Sequence, residues 1–342
     1  MVDKEKGFMP HHRSSTERLS RMPIEELSAL HDSLQGRRRV GRGGKHLDNL
    51  RRNVEGRLRE RERRGNRKPH GTSEGGQDNT TLEIAGRQVL YARLNGIDSS
   101  VRGLVVEAHP DDRMMAEGID GAAVRKGVGM TVVTLTDGGA RQFPNIMEGE
   151  WSFEAWQRLP QLRWQESIAS VKILNGDEVY NVGIPDGELS SSQPEAIVVL
   201  SEIILKLKPA FIIAPHPGDP HPDHSSAYEV ASAAANGEIP VYAMDTIMGL
   251  DRYGNFIIPT HYVPLSRRED RRRNRGFDAH ATQVKNLQPE DRRNVDRVKG
   301  MTRRRGRDIG VPFAGSLVFD ATSHNSDPIA EIFTKEIVLA DH

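Results

Sequence analysis

An apolar run near residue 105 ends on a histidine and two adjacent carboxylates: Val105-Val106-Glu107-Ala108-His109-Pro110-Asp111-Asp112. Residues 104–106 read as a short buried strand. Strand ends in open α/β sheets face a crevice rather than the core, and ligands bind there. His109 and Asp112 are three apart, so a turn beginning at the strand end can aim both at one point. A histidine nitrogen with a carboxylate oxygen is ordinary zinc ligation, and three protein ligands with one open position mark a catalytic site. Asp111 is then left free to act as a base on water held by the metal.

A second cluster offers the third ligand. Residues 210–214 (AFIIA) read as another buried strand, followed by Pro215-His216-Pro217-Gly218-Asp219-Pro220-His221-Pro222-Asp223-His224. Three histidines and two aspartates fall within nine residues. The prolines hold this loop extended, and Asp223 is expected to cap a helix running to about residue 235. Spacing alone does not decide between His221 and His224 as the metal ligand.

The two motifs, AHPDD after one strand and HPDH after a later one, resemble those of the LmbE/PIG-L family of zinc-dependent N-acetylglucosaminyl deacetylases. The resemblance covers roughly residues 100–290. Weaker echoes are Leu162-Arg163 with Glu166, and Pro185-Asp186-Gly187. It implies a Rossmann-like fold and one Zn²⁺ per chain, with another divalent ion as the alternative. It also implies His109, Asp112 and His224 as ligands, Asp111 as base, and His221 beside the open face of the metal. There His221 would steady the developing oxyanion or protonate the leaving amine. Arg163 is expected either to contact substrate or to pair with Glu166. Asp186 is expected to shape a turn at the rim. His216 is open between a supporting role and none, and His280 is assigned to the site or to core packing. The family usually reads AHPDDE, whereas here the last position is Arg113. That changes charge near the site and lets Arg113 pair with Glu117 one turn on.

Positioning such a site takes a sheet. From residue 81 the pattern becomes strands alternating with helices, which implies an α/β fold with a mostly parallel sheet and helices on both faces. Strands are expected at 81–94 (a pair around Gly86), 104–107, 129–135, 179–182, 210–214, 241–250 and 260–263. Helices are expected at 120–125, 153–174 with Pro160 inside, 195–207, 267–287 and 289–305. Thr136-Asp137-Gly138-Gly139 is a turn on the same rim as His109.

Composition bounds the rest. The 342 residues suit one large domain or two ordinary ones. Net charge is zero, but residues 1–80 hold 19 Lys/Arg and 12 Asp/Glu. The domains are therefore taken as 1–80, a basic extension that is helical or partly disordered, and 81–342, the catalytic domain. Residues 23–34 and 47–64 carry helical spacing, the second with only a thin apolar stripe that must lie on another surface. A homo-oligomer is expected for that reason. Residues 65–79 read as linker. Acidic residues interleaved with the arginines count against nucleic-acid binding. There is no cysteine, so thiolate ligands and disulfides are excluded. No secretory signal is read at the start, and the apolar stretch 196–214 is broken by Lys206, Lys208 and Pro209. A cytoplasmic protein with no membrane partner is expected.

The expected function is metal-dependent removal of an N-acetyl or other N-acyl group from an amino-sugar-containing small molecule. Two alternatives stand beside it on the same scaffold, an amidase of a thiol–sugar conjugate and a natural-product deacylase. One of another class is a non-catalytic protein that binds through its Arg-rich regions. Residues 267–307, with 15 Lys/Arg against 6 Asp/Glu, either attract an anionic substrate or form a solvated helix face.

Overall fold

A computed structural model describes residues 79–339, apart from 95–98, 117, 140–152, 286–288, 321–323, 325 and 335. Residues 1–78 of the extension expected over 1–80, and the Glu117 partner expected for Arg113, lie outside the described residues. One ten-stranded sheet organises what is described. Its strands are β1 (Asn79–Ile84), β2 (Arg87–Arg93), β3 (Arg102–Glu107), β4 (Gly129–Thr136), β5 (Glu178–Ile184), β6 (Phe211–Ala214), β7 (Val241–Met244), β8 (His261–Pro264), β9 (Ala314–Val318) and β10 (Val338–Leu339). The helices are α1 (Ile119–Arg125), α2 (Phe153–Leu174), α3 (Leu189–Leu207), α4 (Pro222–Ala235), α5 (Arg267–Asp278), α6 (Ala281–Val284), α7 (Pro289–Asp308) and α8 (Pro328–Ile332). A 3₁₀ turn covers Asp112–Ala116.

The spatial order is β1-β2-β5-β4-β3-β6-β7-β9-β8-β10. The five central strands, β5-β4-β3-β6-β7, are parallel, and each edge is finished by antiparallel strands. From β3 the chain winds outward through β4 and β5, then returns across the sheet to β6 and β7. The direction of winding therefore reverses between β3 and β6. That reversal opens a crevice at the carboxyl ends of these two strands.

Every residue of β4 is buried, as expected of a parallel strand covered on both faces. Val105, Met130, Val132, Val179, Phe211 and Ile213 share one core cluster with side chains from α1, α2, α5 and α7. The alternate residues Leu104, Val106, Val133, Val182 and Ile212 are buried as well, and α3 and α4 pack against each other. β3 lies very close to β6: a Cβ on Gly103 would meet the Phe211 ring at 2.7 Å, with a closer approach still to its tip. Glycine at this position lets the two strands that carry the motifs sit side by side.

Several boundaries differ from expectation, each for a local reason. The edge hairpin turns at Ala85-Gly86, both with positive φ (51° and 76°), the two-residue turn that matches strand twist. α3 begins at Leu189 instead of about 195, its first turn closed by Ser191 N and Ser192 N donating to the Glu188 carbonyl, and Pro194 lies inside it. β7 stops at Met244, where the buried Asp245 carboxylate turns to Arg304 and Arg305. α5 ends at Asp278, and the chain restarts as the short α6. β9, β10 and α8 carried no reading in the sequence. Among the described residues no helix is long and apolar enough to cross a membrane.

Candidate metal centre

His109 leaves β3 and Asp112 returns beneath it. The Asp112 carboxylate accepts from the His109 backbone N–H at 2.7 Å, and the Asp112 N–H donates to the His109 carbonyl at 3.1 Å. This tight turn places the Asp112 oxygens against the His109 ring, with Oδ2 3.3 Å from Nδ1. His224 enters from the first turn of α4, after β6. Its Nε2 is 3.1 Å from Asp112 Oδ1 and 3.2 Å from His109 Nδ1. Three potential ligand residues from two strand ends thus approach one another at 3.1–3.3 Å, Asp112 through one oxygen to each histidine. Ligands about 2.0–2.2 Å from a tetrahedral ion are separated by about 3.3–3.6 Å.

A carboxylate stands beside the other nitrogen of each histidine. Asp219 Oδ1 lies 3.2 Å from His224 Nδ1 and also accepts from the His221 backbone N–H at 2.8 Å. His109 Nε2 faces Asp186 Oδ1 at 3.1 Å and Asp223 Oδ2 at 3.4 Å. A carboxylate on the far nitrogen fixes tautomer and ring orientation, the usual support for a metal-binding histidine.

These contacts correct two expectations. The N-cap of α4 is His221, whose Nδ1 accepts from the Asp223 N–H, rather than Asp223 itself. The Asp223 carboxylate is fully buried and accepts from Gly187 N at 2.7 Å and Leu189 N at 3.3 Å. It ties the Pro185-Asp186-Gly187 loop to the start of α4 and holds Asp186 beside His109. Asp137 completes the brace by accepting from Asp186 N at 3.1 Å and Gly139 N at 2.8 Å. Asp186 therefore meets the centre directly as well as forming a turn. The sequence signal for the role of Asp223 was its place between two metal-type histidines, a position that spacing reads equally well as a helix cap.

The electrostatics of the cluster favour a cation. Burial pushes the His109 and His224 pKa values down. The carboxylates of Asp112, Asp186 and Asp223 outweigh this at His109, and those of Asp112 and Asp219 at His224. The net result lifts His109 well above its ordinary value and His224 to about 10. Burial raises the Asp112 carboxyl, but His224 and His109 hold it well below the usual carboxylate range. A divalent ion at the meeting point of these atoms would supply the same positive charge. The described residues hold two groups with three close ligand atoms, His109 with His221 and His224, and His109 with Asp186 and Asp223. Asp112 belongs to neither group, but its carboxylate oxygens lie 3.3 Å from His109 Nδ1 and 3.1 Å from His224 Nε2.

His221 is exposed at the edge of the cluster, its ring stacked on His224 with centroids 4.7 Å apart. Burial against neighbouring protein, then the charges of His224 and His109, lower its pKa. Nδ1 accepts a hydrogen bond, so the proton of the neutral ring sits on Nε2. Asp111 is half-buried, and Arg163 Nη2 donates to its Oδ1 at 2.5 Å. Arg163 is 5% exposed, and its Nη1 donates to the Gly138 carbonyl at 2.7 Å. The alternative expected pairing with Glu166 is therefore corrected. Arg163 reaches the site through Asp111, and Glu166 instead accepts from the Thr282 N–H and hydroxyl.

Arg113 does not change charge at the rim. It is 1% exposed and donates to Ser170 Oγ at 2.6 Å, with the buried Glu107 and Asp120 carboxylates supplying opposite charge. Burial raises the Glu107 carboxyl to about 7 against the pull of Arg113 and the Thr134 hydroxyl. His216 folds onto its own loop, its Nδ1 accepting from Gly218 N at 3.0 Å. His280 is fully buried, and its pKa is held well below the ordinary value by burial, then by Arg113 and Arg163.

The fold and this cluster define an α/β protein with a histidine–carboxylate centre at the switch point of a parallel sheet. Residues 104–235 match the PIG-L family model, described as GlcNAc-PI de-N-acetylase. The chain is 29% identical over 153 residues to 1D-myo-inositol 2-acetamido-2-deoxy-alpha-D-glucopyranoside deacetylase of Nocardia farcinica, covering 38% of this chain and 50% of that one. The chain spans about half the length of the curated relatives it matches. Among solved structures it resembles N,N'-diacetylchitobiose deacetylase of Pyrococcus horikoshii, with TM-score 0.51 and 19% identity over 64% of this chain and 83% of that one. It also resembles the 4-carboxy-2-hydroxymuconate hydratase GalB of Pseudomonas putida, with TM-score 0.52 and 18% identity over 66% of this chain and all of that one. These likenesses show the fold.

Proposed function

We propose that the protein is a zinc-dependent hydrolase that removes an N-acyl group from an amino sugar. The observation that carries this reading is the set of His109 Nδ1, Asp112 and His224 Nε2 at 3.1–3.3 Å from one another, with a carboxylate behind each histidine. The match to the family model and the names of the curated relatives support the substrate class.

His109, Asp112 and His224 would hold the ion. Zinc bound there would polarise the acyl carbonyl and lower the pKa of a water from ~15.7 toward ~7. Asp111, adjacent to a ligand yet turned to Arg163, takes the proton as the water attacks the acyl carbon. Arg163 is a positioning residue that fixes the Asp111 carboxylate. The neutral His221 ring, with its proton on Nε2, donates to the oxyanion as it develops. The C–N bond breaks, and the proton held by Asp111 is available to the leaving amine. The products are a carboxylate and a free amine.

GalB shows that the fold alone does not choose between amide hydrolysis and hydration. The test is amine release from N-acetylglucosamine and its α-linked inositol glycoside by the full-length, zinc-loaded chain. Amine appearing in step with acetate supports the reading. Full zinc loading with no amine or acetate from either compound would sink it.

A further inference from the structure

A cavity of about 140 Å³ opens beside Asp111, Asp112 and His224 and runs between the 3₁₀ turn, α5 and α7 to Val298. Its walls include Met114, Met115, Phe277 and Val298, all buried, with the half-buried Val295 at its outer end. Among the described residues, its only uncharged polar side chains are Gln283 and Asn294. His221 is not part of the lining. An apolar protein cavity of ~150 Å³ takes up benzene, so this one has space for about six carbon atoms.

A sugar fits such a lining poorly. Apart from Asp111, Asp112 and His224, which the reaction uses, the lining offers a ring only two amides, and each buried hydroxyl left without a partner costs about 1–3 kcal/mol. An alkyl chain asks for no partner, and Met side chains adapt readily to its shape. Met114 and Met115, one residue beyond the Asp111-Asp112 pair, place this apolar surface next to the reacting carbonyl. An acetyl group would leave most of the volume unfilled.

We propose that the cavity receives the acyl chain, and that the protein acts on N-acyl amines with acyl groups of about four to six carbons in preference to acetyl. The proposal rests on the hydrolase reading above. It adds the side of the amide that is recognised. The reaction consumes one water: the amide C–N bond breaks, water oxygen joins the acyl carbon, and the products are a short-chain carboxylate and the amine.

Carboxylate binding tests the cavity without requiring turnover. The zinc-loaded full chain is titrated calorimetrically with acetate, butyrate and hexanoate. It is then assayed for amine release from N-acetyl-, N-butyryl- and N-hexanoylglucosamine. Each methylene buried is worth about fourfold, so hexanoate should bind at least ~10-fold tighter than acetate, and kcat/KM should rise along the acyl series. V298W should lower the hexanoate-to-acetate affinity ratio by ~10-fold or more. V295W, at the half-buried outer end, does the same if the first variant fails to fold. Affinities flat or falling with chain length overturn the cavity assignment, and acetyl turnover in that case leaves the hydrolase reading intact. A hexanoate preference with no turnover of any amide keeps the cavity as a carboxylate site and overturns the hydrolase reading and the proposed substrate preference.

Discussion

At the residue scale, the side chains proposed to hold an ion are distinct from the one proposed to move a proton. Asp111 and Asp112 are adjacent, yet the 3₁₀ turn sends Asp112 to the two histidines and Asp111 to Arg163. Asp111→Asn keeps the shape and should bind zinc nearly as the parent does. Its turnover should fall by ~10²–10⁴, the usual contribution of a positioned general base. Unchanged turnover with metal retained would place the base elsewhere. Arg163 gives a pH signature. Burial raises the Asp111 carboxyl and the Arg163 cation lowers it. Removing that cation in Arg163→Met therefore raises the Asp111 pKa further. The base is active when ionised, so the acid limb of the kcat/KM profile should move to higher pH. A limb that stays put, or moves to lower pH, contradicts the assignment of Arg163 to Asp111.

At the scale of elements, the site depends on loops that meet only because β3 and β6 are neighbours. Gly138 is the tightest of these joints. Its φ is +65°, and a Cβ there would lie 2.6 Å from Arg163 Nη1 and 2.8 Å from Pro110 Cδ. Gly138→Ala should therefore displace Arg163 from Asp111 and lower kcat while zinc content stays near that of the parent. An equal loss of both would mean that the loop supports the ligands as well. Much at this scale was legible in the sequence. The buried strands 104–106 and 210–214, the helix over 153–174 and the two motifs all sit where their patterns put them. What was not legible depended on distant partners. Nothing near Arg163 in the chain points to Asp111, 52 residues earlier. Asp223 reads as a helix cap until the loop carrying Gly187 is laid against it. Arg113 reads as a rim charge until Ser170 and Glu107 close around it. β9 was missed because a strand of five residues beside a long basic helix leaves little periodic signal.

At the scale of the whole molecule, we propose that catalysis resides in the part of the chain that begins at β1. That strand opens at Asn79, two residues before the boundary expected from composition. Its hairpin with β2 seals one edge of the sheet by pairing with β5. A chain of residues 79–342 should keep its zinc and its amine release, and should differ from the full chain in oligomeric state or solubility. Loss of metal on truncation would mean that residues 1–78 support the fold of the centre.

The central claim is that one ion is held between β3 and β6 by His109, Asp112 and His224. Metal content after purification without chelator tests it most directly, measured on the full chain and on single alanine variants of those three residues and of Asp186 and Asp223. The account predicts about one equivalent of zinc in the parent. Each of the His109, Asp112 and His224 variants should lose most of it. The Asp186 and Asp223 variants should bind more weakly, by ~10–100-fold, yet still reach full occupancy in excess zinc, as expected of groups that orient a ligand. The contradicting result is full metal in the Asp112 and His224 variants with the ion lost from the Asp186 and Asp223 variants. That outcome would move the ion to the opposite nitrogen of His109.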